Sequence, residues 1–195
     1  MIDLQDVIIK IRSRLKDENY HDLRFSDSEI IDGINATSRA LTLNLKLNKK
    51  QITKEISTRH PFIHLPHLLH IQSAQFNRTL LLKRTDMPKP SGSIELLITH
   101  EGVSVTPFFE GTLSLVYSEY EPLNSESETL EFSPMALDCI VYGTLALMLE
   151  INTADENYQK IGFFKALYKE AENAYIAHLN SLYTRPNPSS KVVRI

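Results

Sequence analysis

Apolar residues in this chain recur at three- and four-residue steps near both ends and at two-residue steps between them, and a segment cannot satisfy both periods. The fold must therefore be helical at its ends and strand-rich in the middle. Near the start, Leu4, Val7, Ile8, Ile11 and Leu15 place one apolar stripe on a first helix that ends between Asp17 and Asn19. In RFSDSEIIDGIN, Ser26 followed by Glu29 has the spacing of a capping box, and Phe25 with Ile30 that of a hydrophobic staple, so a second helix starts there. Ile30, Ile31, Ile34 and Leu41 continue its buried face. The Leu41, Leu43, Leu45, Leu47 spacing then shifts to a period of two, which predicts that the helix frays or ends nearby.

From 51 to 123 the segments QITKEIS, PFIHLP, LHIQSAQF, SIELLITH, GVSVTPF and GTLSLVYSEY read as short strands punctuated by proline and glycine. Glu101-Gly102 lies between two alternating runs and predicts a tight hairpin. Residues 124 to 131 are polar and acidic and read as a loop leading to Ser133-Pro134, where serine can cap and proline can take the first helical position. The longest helical stretch follows, ALDCIVYGTLALMLEINTADENYQKIGFFKALYKEAENAY, from Ala136 to Tyr175, broken once at an acidic turn. Met135, Leu137, Ile140, Val141, Leu145, Leu147 and Leu149 surround much of a third helix, which predicts burial on more than one side. Ile161, Phe164, Leu167, Tyr168, Ala171, Tyr175 and Leu179 mark a fourth helix facing it.

The expected architecture is α+β: a mainly helical core of about four helices with an antiparallel β-lobe inserted between helices 2 and 3. One domain spans 1–183, with helical parts 1–50 and 133–183 around the lobe at 51–123. The last residues, 184–195, form an extended tail. The 195 residues suffice for one sizeable core.

Net charge of -3 is not the basic excess of a protein that grips nucleic-acid phosphates. A single cysteine, Cys139, cannot form an internal disulfide, so folding needs no oxidising compartment and a cytoplasmic origin is expected. The N-terminal sequence lacks the pattern of a signal peptide. The apolar stretch from Ile140 to Leu149 falls short of the ~20 residues that span a bilayer, so no membrane partner is expected.

Four histidines, His60, His64, His67 and His70, crowd HPFIHLPHLLH and raise the possibility of a metal-dependent enzyme, since neutral imidazoles ligate zinc. Pro61 and Pro66 break the helix that would stack His60 with His64, and no carboxylate or cysteine lies within the run; solvent-facing or structural histidines are the expectation. Cys139 sits among apolar residues and reads as a small buried hydrophobe with a raised thiol pKa, not a nucleophile. Neither GxGxxG, GxxxxGK[ST] nor GxSxG occurs. Asp155 and Glu156 read as complements to a helix dipole before a metal pair. No catalytic group, cofactor or metal is expected. The stretch from 51 to 132 carries six basic and ten acidic residues, whereas RPNPSSKVVRI carries three basic and none acidic. Arg185, Pro186, Lys191, Val192, Val193, Arg194 and Ile195 thus belong to an extended basic tail suited to dock into an acidic groove or add a strand to another protein.

The order of elements, together with Arg24, Phe25, Ser26, Asp27, Glu29, Ile30, Ile31 and Asn35 at the second helix and Ala136, Leu137, Val141, Tyr142, Ala146, Asp155, Phe163, Phe164 and Tyr168 in the closing pair, resembles the head-to-tail adaptor proteins of tailed bacteriophages. The resemblance spans most of the chain. It implies a structural virion protein and no enzyme: a homo-oligomeric ring, of twelve subunits, assembled in the host cytoplasm and placed at the head-tail junction. Its implied partners are the portal protein above, tail proteins below, and genomic DNA that passes through the channel without sequence-specific binding. The β-lobe is longer than in minimal all-helical adaptors. A small cellular interaction module with a β recognition lobe is the remaining alternative.

Overall fold

A computed structural model of the chain describes residues 1–17, 23–125, 128–151 and 157–183. It has an α+β fold with four helices, 43% helical and 28% strand, and its β region lies between the second and third helices. Two compact units divide it: Met1–Thr37 with Leu123–Ile195, and Ser38–Pro122.

In the first unit, β1 (Ile2–Asp3) leads directly into α1 (Leu4–Leu15), where the Asp3 carboxylate accepts from the Gln5 amide and satisfies one of the free donors of the first turn. Leu4, Val7, Ile8 and Ile11 are buried, as the stripe predicts. Lys16 ends the helix in a left-handed conformation, φ 58°. α2 (Asp27–Leu45) begins at the expected box: the Ser26 amide donates to the Glu29 carboxylate at 2.8 Å, and the Glu29 amide to the Ser26 hydroxyl at 3.3 Å. The leucine run at period two does not stop this helix until Leu45, with Leu43 turned outward. Lys46 then takes φ 52°, and the Leu47 amide closes onto the Thr42 carbonyl.

The polar stretch before the third helix holds a short strand, β9 (Thr129–Leu130), antiparallel to β1, where a loop is expected. Leu130 and Ile2, directly opposed, are both buried, and that pairing across the length of the unit is invisible to local periodicity. Ser133 caps a single 3-10 turn, Pro134–Ala136, that runs into α3 (Leu137–Ile151). Cys139, Ile140, Val141, Thr144, Leu145, Met148 and Leu149 are buried around α3, while Met135 and Leu147 are exposed. α4 (Asn157–Tyr183) packs along it. Contact is close enough that a Cβ on Gly143 would lie 2.5 Å from the Thr37 methyl and 3.1 Å from the Tyr168 ring. Gly143→Val is therefore expected to cost about 2 kcal/mol of overpacking strain. Thermal unfolding should show it as a fall of roughly 4–8 °C in Tm.

The second unit carries two sheets. β2 (Lys49–Ile56), β3 (Leu68–Phe76), β4 (Thr79–Leu80) and β8 (Gly111–Glu119) form one, in the order β2-β8-β3-β4 and antiparallel throughout. β5 (Arg84–Thr85), β6 (Glu95–Thr99) and β7 (Gly102–Thr106) form the other, where the two-residue β5-β6 pair is parallel. Inward residues of both sheets, among them Ile71, Phe76, Leu96, Val105, Leu113 and Leu115, share one core. The β6-β7 hairpin forms as expected, with His100 and Glu101 as its two loop residues and Gly102 opposite Thr99. PFIHLP is not a strand. Pro61 and Pro66 remove the donor at each end of it, and only Ile63 makes an isolated bridge, to Val103.

Candidate functional site

The second-helix motif residues form a buried polar junction in the first unit. Arg12 donates to the Asp17 carboxylate at 3.0 Å, to the Phe25 carbonyl from both terminal nitrogens at 3.2 Å, and to Asp27. Asp17 also accepts the Arg24 and Phe25 amides at 2.7 and 3.3 Å. A segment that turns between two helices has several backbone groups to satisfy, and this ion pair satisfies them at once. Asn35, about two turns further along α2, donates to the Leu123 carbonyl and accepts the Leu123 amide, both at 2.9 Å. It mimics a strand neighbour for a residue 88 positions away. Asn35→Ala would strand both buried backbone groups and is expected to cost about 2 kcal/mol, read as a lower urea midpoint with unchanged slope.

In the closing pair, Tyr142 and Phe164 stack at 6.4 Å and Phe163 meets Phe164 edge-on at 5.6 Å. Arg14 lies over the Tyr142 ring at 4.9 Å and donates to its hydroxyl. Arg14, Lys16, Arg24 and Lys160, with Phe163 and Phe164, line a recess of about 410 Å³. The aromatic positions were legible in the sequence; their basic surroundings were not, since the cations come from three separate segments.

Cys139 is fully buried, and burial first, then the Glu172 charge, pushes its thiol up to about 11. Such a thiol is a poor nucleophile at neutral pH. Tyr168, whose hydroxyl donates to Glu172, is pushed up to about 12 by the same two causes in the same order.

In the second unit the four histidines do not converge. His60 closes a turn with Ser57, His64 is exposed, the His67 carbonyl accepts the Tyr120 amide, and His70 lies in β3, half-buried. Desolvation, then the charges of Lys46 and Arg84, lowers the His70 pKa. Among the described residues no group of three or more His, Cys, Asp or Glu is placed to hold a metal ion. Asp155, Glu156 and the tail residues Arg185, Pro186, Lys191, Val192, Val193, Arg194 and Ile195 lie outside the described residues.

A groove of about 800 Å³ lies in this unit around the β6-β7 hairpin and is lined by Phe62, Asp86, Pro88, Ile98, Glu101 and Phe108 among others. Beside it, Lys89 pairs with the buried Glu95 at 2.6 Å while its backbone amide and carbonyl bond the Thr106 hydroxyl. No sequence motif marks this groove, because its residues come from four separate stretches. The Lys89 hydrogen bond, against the cost of burial, holds the Glu95 carboxyl below its ordinary value. A carboxyl depressed in the folded state contributes stability that is present above its unfolded pKa and lost as pH falls through the folded one. Urea midpoints followed below about pH 4.5 should therefore fall more gently in Glu95→Gln than in the parent chain.

No protein-family model matches the chain, and none of the curated proteins compared with it matches either. Among the described residues no helix is long and apolar enough to cross a membrane.

Proposed function

We propose that the chain is a head-to-tail adaptor of a tailed bacteriophage: a ring-forming structural protein that binds beneath the portal, extends the DNA channel and receives the tail at the head-tail junction of the virion. One observation carries this reading. The order of elements, two helices, a β region, then two packed helices, supports the resemblance drawn from the sequence. The residues behind the resemblance have structural work: Ser26 and Glu29 cap α2, Asn35 binds Leu123, and Tyr142 stacks on Phe164.

The helical unit also leaves large apolar side chains exposed. Ile9, Leu147, Tyr158, Phe163 and Leu182 are between 37% and 63% accessible. Apolar surface of this kind favours contact with further protein, here neighbouring subunits and the portal. The basic tail is the second attachment element. DNA needs no grip from such a conduit, in keeping with the net charge of -3.

Mass measurement of the purified chain, alone and with its portal, tests the reading. Closed multimers on the order of ten or more copies are expected, through a heterologous head-to-tail interface whose rotation closes. Monomers in both conditions would overturn it. Removing residues 185–195 should weaken portal attachment with the fold intact, and undiminished attachment would remove the tail from the proposal.

A further inference from the structure

The groove beside the β6-β7 hairpin has the chemistry to hold an extended peptide with apolar and cationic side chains. Its lining is mainly apolar, with Phe62, Pro88, Ile98 and Phe108, the last 39% accessible. Its rim is acidic. Glu101 stands at the hairpin tip, with a side chain 58% accessible, and Asp86 makes no ion pair among the described residues. Lys89 is the lysine of the lining, and Glu95 takes up its charge at 2.6 Å. His100, also in the lining, lies 4.0 Å from Glu101. A volume of about 800 Å³ falls within the range of about 300–1,000 Å³ in which clefts enclose a ligand.

The geometry points to this groove as the receptor for the C-terminal segment, Lys191–Ile195, of a second copy of the chain. In KVVRI, Val192, Val193 and Ile195 offer the apolar contacts, while Lys191 and Arg194 supply cations for Asp86 and Glu101. The tail carries no acid to oppose that rim. Residues 184–195 follow the described end of α4, and a fully extended stretch of that length, at about 3.3 Å per residue, spans at most about 40 Å. The inference rests on the ring reading and deepens it: the tail links one subunit to the next, an exchange that closes head to tail.

Disulfide trapping in the full chain tests it. Cys139 is the sole cysteine and is fully buried, so introduced thiols are the reactive ones. Phe108→Cys and Val192→Cys are made as separate chains, mixed and oxidised; Glu101→Cys, on the exposed hairpin tip, stands in should Phe108→Cys misfold. A disulfide between the two different chains is expected to form at least about tenfold faster than with Thr53→Cys on β2, since docking raises the local thiol concentration. Equal rates at position 53 overturn the groove assignment, as does the absence of any disulfide. A bond formed only within one doubly substituted chain overturns the second copy as occupant. Mass measurement on the same samples separates the two readings: multimers without the trapped bond sink this inference alone, and monomers sink the ring as well.

Discussion

Arg12→Ala is expected to destabilise the chain by about 4 kcal/mol, because it leaves the Asp17 carboxylate, only 4% accessible, without its counter-charge. The Phe25 carbonyl loses both of its guanidinium donors in the same step. Surface ion pairs are worth far less, and the difference is one of burial: water cannot replace the lost partner here. Lysine should not rescue, since a single ammonium cannot reach Asp17, Asp27 and the carbonyl with the planar fork that does so now. Denaturant unfolding of Arg12→Ala and Arg12→Lys, and of Arg12→Met, Asp17→Asn and the double variant of these last two, checks this. The double variant should lose less than the sum of its parts, because removing both charges leaves none stranded. Additive losses would mean that the pair does not act as a unit.

Gly102→Ala is expected to cost about 3 kcal/mol, combining backbone strain with a steric clash. Gly102 sits at φ +138°, which L side chains rarely adopt, and a Cβ would lie 2.5 Å from the Ile63 carbonyl oxygen. That oxygen cannot move aside freely, since it accepts the Val103 amide at 3.0 Å while the Ile63 amide donates back to Val103. Relief of the clash must break this bridge. Hydrogen exchange at Ile63 and Val103 should accelerate together in the variant, alongside a lower urea midpoint. Gly92, with φ +119° and nothing within 4 Å, isolates the strain alone, so its alanine variant should lose clearly less.

These two sites mark the limit of what the sequence made legible. Helices α1 to α4 were readable because their signals are local: a stripe at Leu4 to Ile11, a capping box at Ser26 and Glu29, a proline at position 134. The β6-β7 hairpin was readable for the same reason. What failed was longer in range or governed by donors. PFIHLP has the composition of a strand but is bounded by prolines at 61 and 66 and holds only an isolated bridge at Ile63, and β1 pairs with β9 across more than 120 residues with two residues each. Candidate sites fared similarly. The histidines are close in sequence and apart in space, whereas the groove at Phe62, Asp86, Ile98 and Phe108 is assembled from stretches that no spacing links. Arg12, the most consequential polar residue in the helical unit, looks from its sequence neighbours like one more cation on an amphipathic helix.

The bond from Asn35 to Leu123 has a consequence for how such a chain can change over time. The chain leaves the helical unit after Thr37 and returns to it at Leu123, and one amide ties those two points together. A span whose ends are already clasped can grow, shrink or be swapped with little added loop-closure entropy, since each doubling in length costs only about 0.6 kcal/mol. The 38–122 stretch is in that sense a socketed cartridge. Substitution or insertion within it can then accumulate while the Asn35–Leu123 clasp stays as it is.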